Sequence, residues 1–118
     1  MLADQVVAFA ICAEITHPEH ASAAARGGAT IYAASCLLTE SGYGADAELL
    51  RRYAREHRMV VMMANYGTPV RGWSPAGRSA IWSSDGSLLG CAPPLGEALV
   101  VAAKSSGGWG GTVVTKCG

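Results

Sequence analysis

Three short apolar runs constrain this chain more than anything else in it: residues 6–12 (VVAFAIC), 29–35 (ATIYAAS) and 60–65 (VVMMAN). Each has the length of a strand, and apolar positions follow one another instead of alternating, the pattern of a strand covered on both faces. Helical segments lie between them. After the first run come Thr16, Pro18, Glu19 and the alanine-rich stretch 20–26 (HASAAAR), closed by Gly27-Gly28. That order predicts a helix with Thr16 or His17 at its N-cap, proline in its first turn and glycine at its C-cap. Residues 45–58 (ADAELLRRYAREHR) place Leu49, Leu50, Tyr53 and Ala54 at helical spacing, with acids early and bases late as the helix dipole favours. Residues 36–44 (CLLTESGYG) read as a loop. Strand, helix and strand repeated in this way predict parallel pairing with right-handed crossovers.

The second half differs. Gly67, Pro69, Gly72, Pro75 and Gly77 mark residues 66–77 as a loop; residues 79–83 and 87–91 flank an Asp85-Gly86 hairpin signal; and residues 98–102 (ALVVA) form a last strand. Residues 104–118, with five glycines and no amphipathic period, read as a flexible tail, so residues 1–103 form one unit. The fold class is α/β, a parallel layer followed by an antiparallel one. Two helices for about six strands leave much of the sheet bare, so a partner subunit or a further segment is expected to cover it.

Nine Lys+Arg balance nine Asp+Glu over 118 residues, which supplies no electrostatic footprint for nucleic acid or an anionic membrane. Arg51, Arg52, Arg55 and Arg58 read as one solvated helix face. The apolar runs fall far short of the roughly 20 residues of a spanning helix. Met1-Leu2-Ala3-Asp4 lacks the basic start of a secretory signal, so the expected compartment is the cytoplasm. The four cysteines show no C-x-x-C spacing and are expected as free thiols. His17 and His20 with Cys12 lack a fourth ligand and are separated by Pro18, so they read as solvent-facing, and neither metal nor cofactor is expected.

Cys12 stands where an apolar strand gives way to a helix. In that setting backbone N–H groups face a developing oxyanion and a helix N-terminus lowers the thiol pKa. Glu14 and Glu19 lie beside it, where acids commonly cap helices. Cys36 reads as a small packing residue. Glu40, Ser41 and Tyr43 fall in the loop after the second strand, a place where α/β sheets bind ligands. Trp73 either walls that pocket or covers the sheet edge, and Asn65 at a strand end is placed to bond loop backbone.

Residues 11–19 (ICAEITHPE) resemble the nucleophile segment of the nitrilase superfamily of carbon–nitrogen hydrolases. Residues 63–67 (MANYG) resemble its strand ending in Ala-Asn. Residues 76–81 (AGRSAI), followed by Asp85-Gly86, resemble its Gly-x-Ser-x-Ile hairpin, and the three blocks occur in the family's order. The resemblance implies the C-terminal half of an α-β-β-α stacked-sheet fold. It implies Cys12 as the nucleophile toward a small amide, carbamoyl compound or nitrile, through a thioester. With Cys12 in that role, Ala13, Glu40 and Trp73 are expected for oxyanion and substrate binding, and Glu14, Glu19, Asn65 and Ser79 in support. It also implies a homo-oligomer or a complementing N-terminal half. The family's Glu and Lys precede the cysteine, whereas the eleven residues before Cys12 hold neither, and Lys104 and Lys116 lie outside the matched core. The expectation is a truncated hydrolase domain, with a catalytically inactive scaffold as the alternative.

Overall fold

Strands that are apolar at consecutive positions have two faces to cover, and the placement of the helices decides which face is covered. The computed structural model describes residues 5–36, 38–65, 77–92, 98–105 and 108–115, the last two segments by their backbone alone. In chain order the elements are β1 (Val7–Ile11), a 3-10 turn (Cys12–Thr16), α1 (Pro18–Arg26), β2 (Ile31–Cys36), α2 (Glu40–His57), β3 (Val60–Asn65), β4 (Ala80–Trp82), β5 (Leu88–Cys91), β6 (Ala98–Ser105) and β7 (Gly108–Thr115). Strands β1 to β5 lie in sequence order in one sheet, and β6 and β7 form a second. The β1–β2 and β2–β3 pairs are parallel, as the repeated strand–helix–strand pattern predicts, and β3–β4 and β4–β5 are antiparallel.

Both helices pack on the same side. There Ala10, Tyr32, Ala34, Cys36, Val61, Met63, Ala80 and Trp82 meet Ile15, Ala21, Leu50, Tyr53 and Ala54 in one buried core. Among the described residues the opposite face buries only Ile31, Val60 and Ile81, with Leu89 against them. The expectation that β1 is covered on both sides is therefore corrected: Phe9 is 71% exposed and Ile11 61%. The cause is geometric, because β1 is an edge strand and both helices sit behind it. The broader expectation of a sheet left bare describes this face well.

Two further boundaries differ from the sequence expectation. Helix α2 starts at Glu40, so Glu40, Ser41 and Tyr43 belong to its first turn and not to a loop. Thr39 takes an extended N-cap conformation, and its carbonyl accepts from the N–H groups of Gly42 and Tyr43 at 3.1 and 2.9 Å. Gly42 and Gly44 weaken the local helical preference, but Tyr43 packs against the core and offsets that. The expected tail is corrected as well: β7 pairs with β6 along its whole length, from Ala98–Thr115 to Ser105–Gly108. Partner backbone supplies hydrogen bonds that the glycine-rich composition did not advertise.

The Asp-Gly hairpin is present in its three-residue form. Gly86 N–H donates to Ser83 O at 2.9 Å, Ser83 N–H donates to Ser87 O at 2.8 Å, and Gly86 has φ +89°. That is a type I turn closed by a left-handed residue, for which glycine is the natural occupant. A Cβ there would also crowd Arg55 Cβ at 3.3 Å. Among the described residues no helix is long and apolar enough to cross a membrane.

Candidate active site

The C-terminal ends of β1, β2 and β3 point the same way because the three strands are parallel. Ile11 pairs with Ser35, which pairs with Ala64; one step further along the sheet, Cys36 pairs with Asn65 and Cys12 leaves β1. Cys12 thus opens its turn on the row of the sheet occupied by Cys36 and Asn65.

Three interactions hold the Cys12–Thr16 turn. Glu14 Oε1 accepts the Ile11 N–H at 2.8 Å, the carboxylate half of a capping box. Ile15 is buried in the helix-side core, and its carbonyl accepts from Tyr53 Oη of α2 at 2.6 Å. His17 N–H donates to Glu14 O at 3.2 Å, and Pro18 then starts α1. The opening N–H groups of a 3-10 turn find no acceptor within the turn itself. The full helix begins only at Pro18, so the dipole at Cys12 is that of a single short turn, weaker than a strand running directly into a long helix would supply.

Glu14 has a second role. Its Oε2 lies 3.5 Å from His20 Nε2, and His20 Nδ1 lies 2.8 Å from the hydroxyl of Tyr32 in β2. The His20 and Tyr32 rings meet edge to face at 5.8 Å. Tyr32 is fully buried, and burial pushes its phenol up to about 12, with Tyr53, Glu14 and Cys36 adding to the effect. The solvent-facing expectation for His20 is corrected: its ring is half-buried because it packs on Tyr32. His17, which is exposed, faces Glu19 instead, with Nδ1 3.5 Å from Oε1. The two histidines thus engage different carboxylates.

At the neighbouring strand ends, Asn65 and Ser79 lash loops together. Asn65 Oδ1 accepts from Leu38 N–H at 2.7 Å, and Nδ2 donates to Leu38 O at 3.1 Å and Gly77 O at 2.9 Å. Ser79 Oγ accepts from Asn65 N–H at 2.8 Å and donates to Asn65 O at 3.2 Å. Asn65 bonds loop backbone, as its position at a strand end suggests, and Cys36 is buried as packing. Glu40 opens α2, Glu19 lies exposed in the first turn of α1, and Trp73 lies outside the described residues.

Two clusters are not foreseen from the sequence. Tyr43 Oη donates to Arg78 O at 2.6 Å, the Arg78 guanidinium lies 5.5 Å over the Tyr43 ring, and Cys91 Sγ lies 3.7 Å from the same carbonyl. Burial raises the Tyr43 phenol well above its ordinary value, with Cys91 contributing. The other cluster is Tyr32, His20 and Glu14. A tyrosine within an otherwise apolar strand was the available signal, since a buried phenol needs a partner. The identity of that partner depends on how α1 packs.

The carbon–nitrogen hydrolase family model matches residues 2–112. Among solved structures, an amidase from Nesterenkonia sp. aligns over 95% of this chain and 38% of its own, at 22% identity and a TM-score of 0.72. Saccharomyces cerevisiae Nit3, a member of branch 10 of the nitrilase superfamily, aligns over 77% and 34%, at 20% identity and 0.72. A carbon–nitrogen hydrolase from Helicobacter pylori G27 aligns over 80% and 39%, at 18% identity and 0.69. At these identities the likeness is one of fold, the α-β-β-α class. The chain spans between a third and two fifths of the length of each of these proteins. No curated protein matches it.

Proposed function

The chain belongs to the carbon–nitrogen hydrolase family, and on that premise we propose that it carries the nucleophile-bearing part of a hydrolase that cleaves a non-peptide carbon–nitrogen bond, with Cys12 as nucleophile. The observation that carries this reading is the position of Cys12. It is the first residue of a pinned 3-10 turn at the C-terminal end of a parallel strand, inside the matched region. The substrate class is a small amide, carbamoyl compound or nitrile. A variant of the Nesterenkonia amidase is described with the acetamide moiety of fluoroacetamide covalently added at its active-site cysteine, which supports an amide for this chain too.

In the proposed reaction a general base takes the thiol proton and the Cys12 sulfur bonds to the amide carbon. Backbone N–H groups of the turn, Ala13 among them, hold the oxyanion. The carbon–nitrogen bond breaks, ammonia or an amine leaves with the transferred proton, and water hydrolyses the thioester. Residues 1–11 contain no Glu or Lys, so the family's acid–base pair would come from outside these 118 residues. The bare face of β1 and β3 would be covered from outside them as well, by the rest of the enzyme or a second subunit. The second reading is an inactive scaffold that has kept the fold.

Fluoroacetamide decides between them. Mass-mapped labelling that favours Cys12 over Cys36, Cys91 and Cys117 is the expected result, with negligible amide turnover until the family's Glu and Lys are supplied, and turnover then lost in Cys12→Ala. Labelling no faster at Cys12 than at the other thiols would overturn the nucleophile assignment and leave the scaffold.

A further inference from the structure

We infer that His20 is a positioning residue, the central link of a chain of polar contacts from buried Tyr32 through Glu14 to the backbone at Ile11 that sets the turn bearing Cys12. The inference rests on the nucleophile assignment above and adds a group which that assignment does not contain.

One assignment of donors and acceptors runs along the whole chain. Tyr32 is fully buried, so its hydroxyl proton needs an acceptor, and His20 Nδ1 at 2.8 Å is placed to be one. Accepting there puts the imidazole proton on Nε2 in the neutral ring, and Nε2 faces Glu14 Oε2 at 3.5 Å. The other carboxylate oxygen takes the Ile11 N–H at 2.8 Å. With that tautomer Tyr32 donates to His20, His20 turns its Nε2 toward Glu14, and Glu14 accepts from Ile11. The chain crosses β2, α1 and the 3-10 turn and ends on the N-cap residue immediately before Cys12.

Removing the middle link has two consequences for Cys12. Glu14 loses the partner that holds its carboxylate in place, so the N-cap bond to Ile11 loosens and the turn samples more conformations. The Cys12 thiol, carried on that loosened turn, also loses the fixed backbone N–H groups that favour its thiolate. An aliphatic residue at position 20 would still pack against the Tyr32 ring. Packing alone thus predicts little change in the thiol, whereas the chain of polar contacts predicts a large one.

The test reads the rate of alkylation of Cys12 by iodoacetamide, resolved by peptide mass, with Cys91 as internal reference and the thermal midpoint as a check on folding. His20→Leu is expected to slow Cys12 roughly tenfold with Cys91 unchanged. His20→Gln, whose amide oxygen accepts from Tyr32 and whose amide nitrogen donates to Glu14, is expected to recover most of that rate. Tyr32→Phe deletes one oxygen and keeps the ring, and is expected to slow Cys12 severalfold; it carries the test by itself if the leucine variant fails to fold. A wild-type Cys12 clearly faster than Cys91 but indifferent to His20→Leu or Tyr32→Phe overturns the inference alone, as does a glutamine variant no better than the leucine one. A wild-type Cys12 no faster than Cys91 overturns the nucleophile assignment and this inference together.

Discussion

The two faces of the five-stranded sheet are built from alternate residues of the same strands, yet one is sealed and the other open. On the helix side Ala10, Tyr32, Val61 and Met63 are buried under α1 and α2. On the far side Phe9, Ile11 and Met62 stand exposed in the same strands. Composition does not distinguish them, since both faces are apolar. The difference lies in where the crossover helices go: β1–α1–β2 and β2–α2–β3 run in one direction across the sheet, and crossovers of one hand then place both helices on the same side. An apolar strand residue contributes stability here only where a helix has been placed over it.

Equal truncations on the two faces give the sharpest contrast. Leu50→Ala, beneath the helix-side core, is expected to cost about 2–5 kcal/mol in denaturant unfolding. Phe9→Ala is expected to change the same midpoint by less than about 1 kcal/mol, because its ring is mostly in water already. Similar losses at both sites would mean that the far face is covered in solution, and the comparison would fail.

Next in size is the latch at the strand ends. Asn65→Ala removes three side-chain hydrogen bonds and leaves the Leu38 N–H and the Leu38 and Gly77 carbonyls to water. A loss of roughly 1–3 kcal/mol is expected. Amide exchange should quicken at Leu38 while β1 is unaffected.

Alkaline pH probes the sealed face alone. The Tyr32 phenol is pushed from 10 to about 12, so the folded state favours the neutral form. Its stabilising contribution is complete below pH 10 and is lost as pH rises toward 12, because the unfolded chain ionises first. Unfolding midpoints measured across that window should fall, and the fall should be shallower in Tyr32→Phe. The half-buried Tyr43 and buried Tyr53 phenols, also raised, keep it from vanishing.

The smallest effect on stability is expected from charging the open face. Phe9→Lys with Met62→Lys should leave the unfolding midpoint nearly unchanged while reducing binding of an apolar dye and self-association. An unfolded double variant would show that these side chains are held by something the isolated chain already supplies.

Much of the candidate site is legible in the order of the residues. The apolar run to Cys12, Pro18 at a helix start, Asn65 at a strand end and the Asp85-Gly86 turn are local signals, each carried by a few adjacent residues. Glu40 and Tyr43 mislead because Gly42 and Gly44 read as loop, and only the packing of Tyr43 on the core and its bond to Arg78 O reveal why helix persists there. His20 misleads for a similar reason. Its neighbours in sequence place it near a helix start, and its partner Tyr32 is twelve residues away.

The amino-acid sequence by itself determined the order and kind of most elements, the parallel-then-antiparallel plan, the place of Cys12 at the end of a strand, and the family. These follow from short-range periodicity, turn chemistry and motif spacing, which a linear chain displays directly. Tertiary structure alone decided which sheet face the helices cover, that β7 pairs with β6, and that Glu14 is tied through His20 to a buried phenol. Those choices bring together residues distant in sequence, and their energies depend on contacts and burial that exist only once the chain has folded.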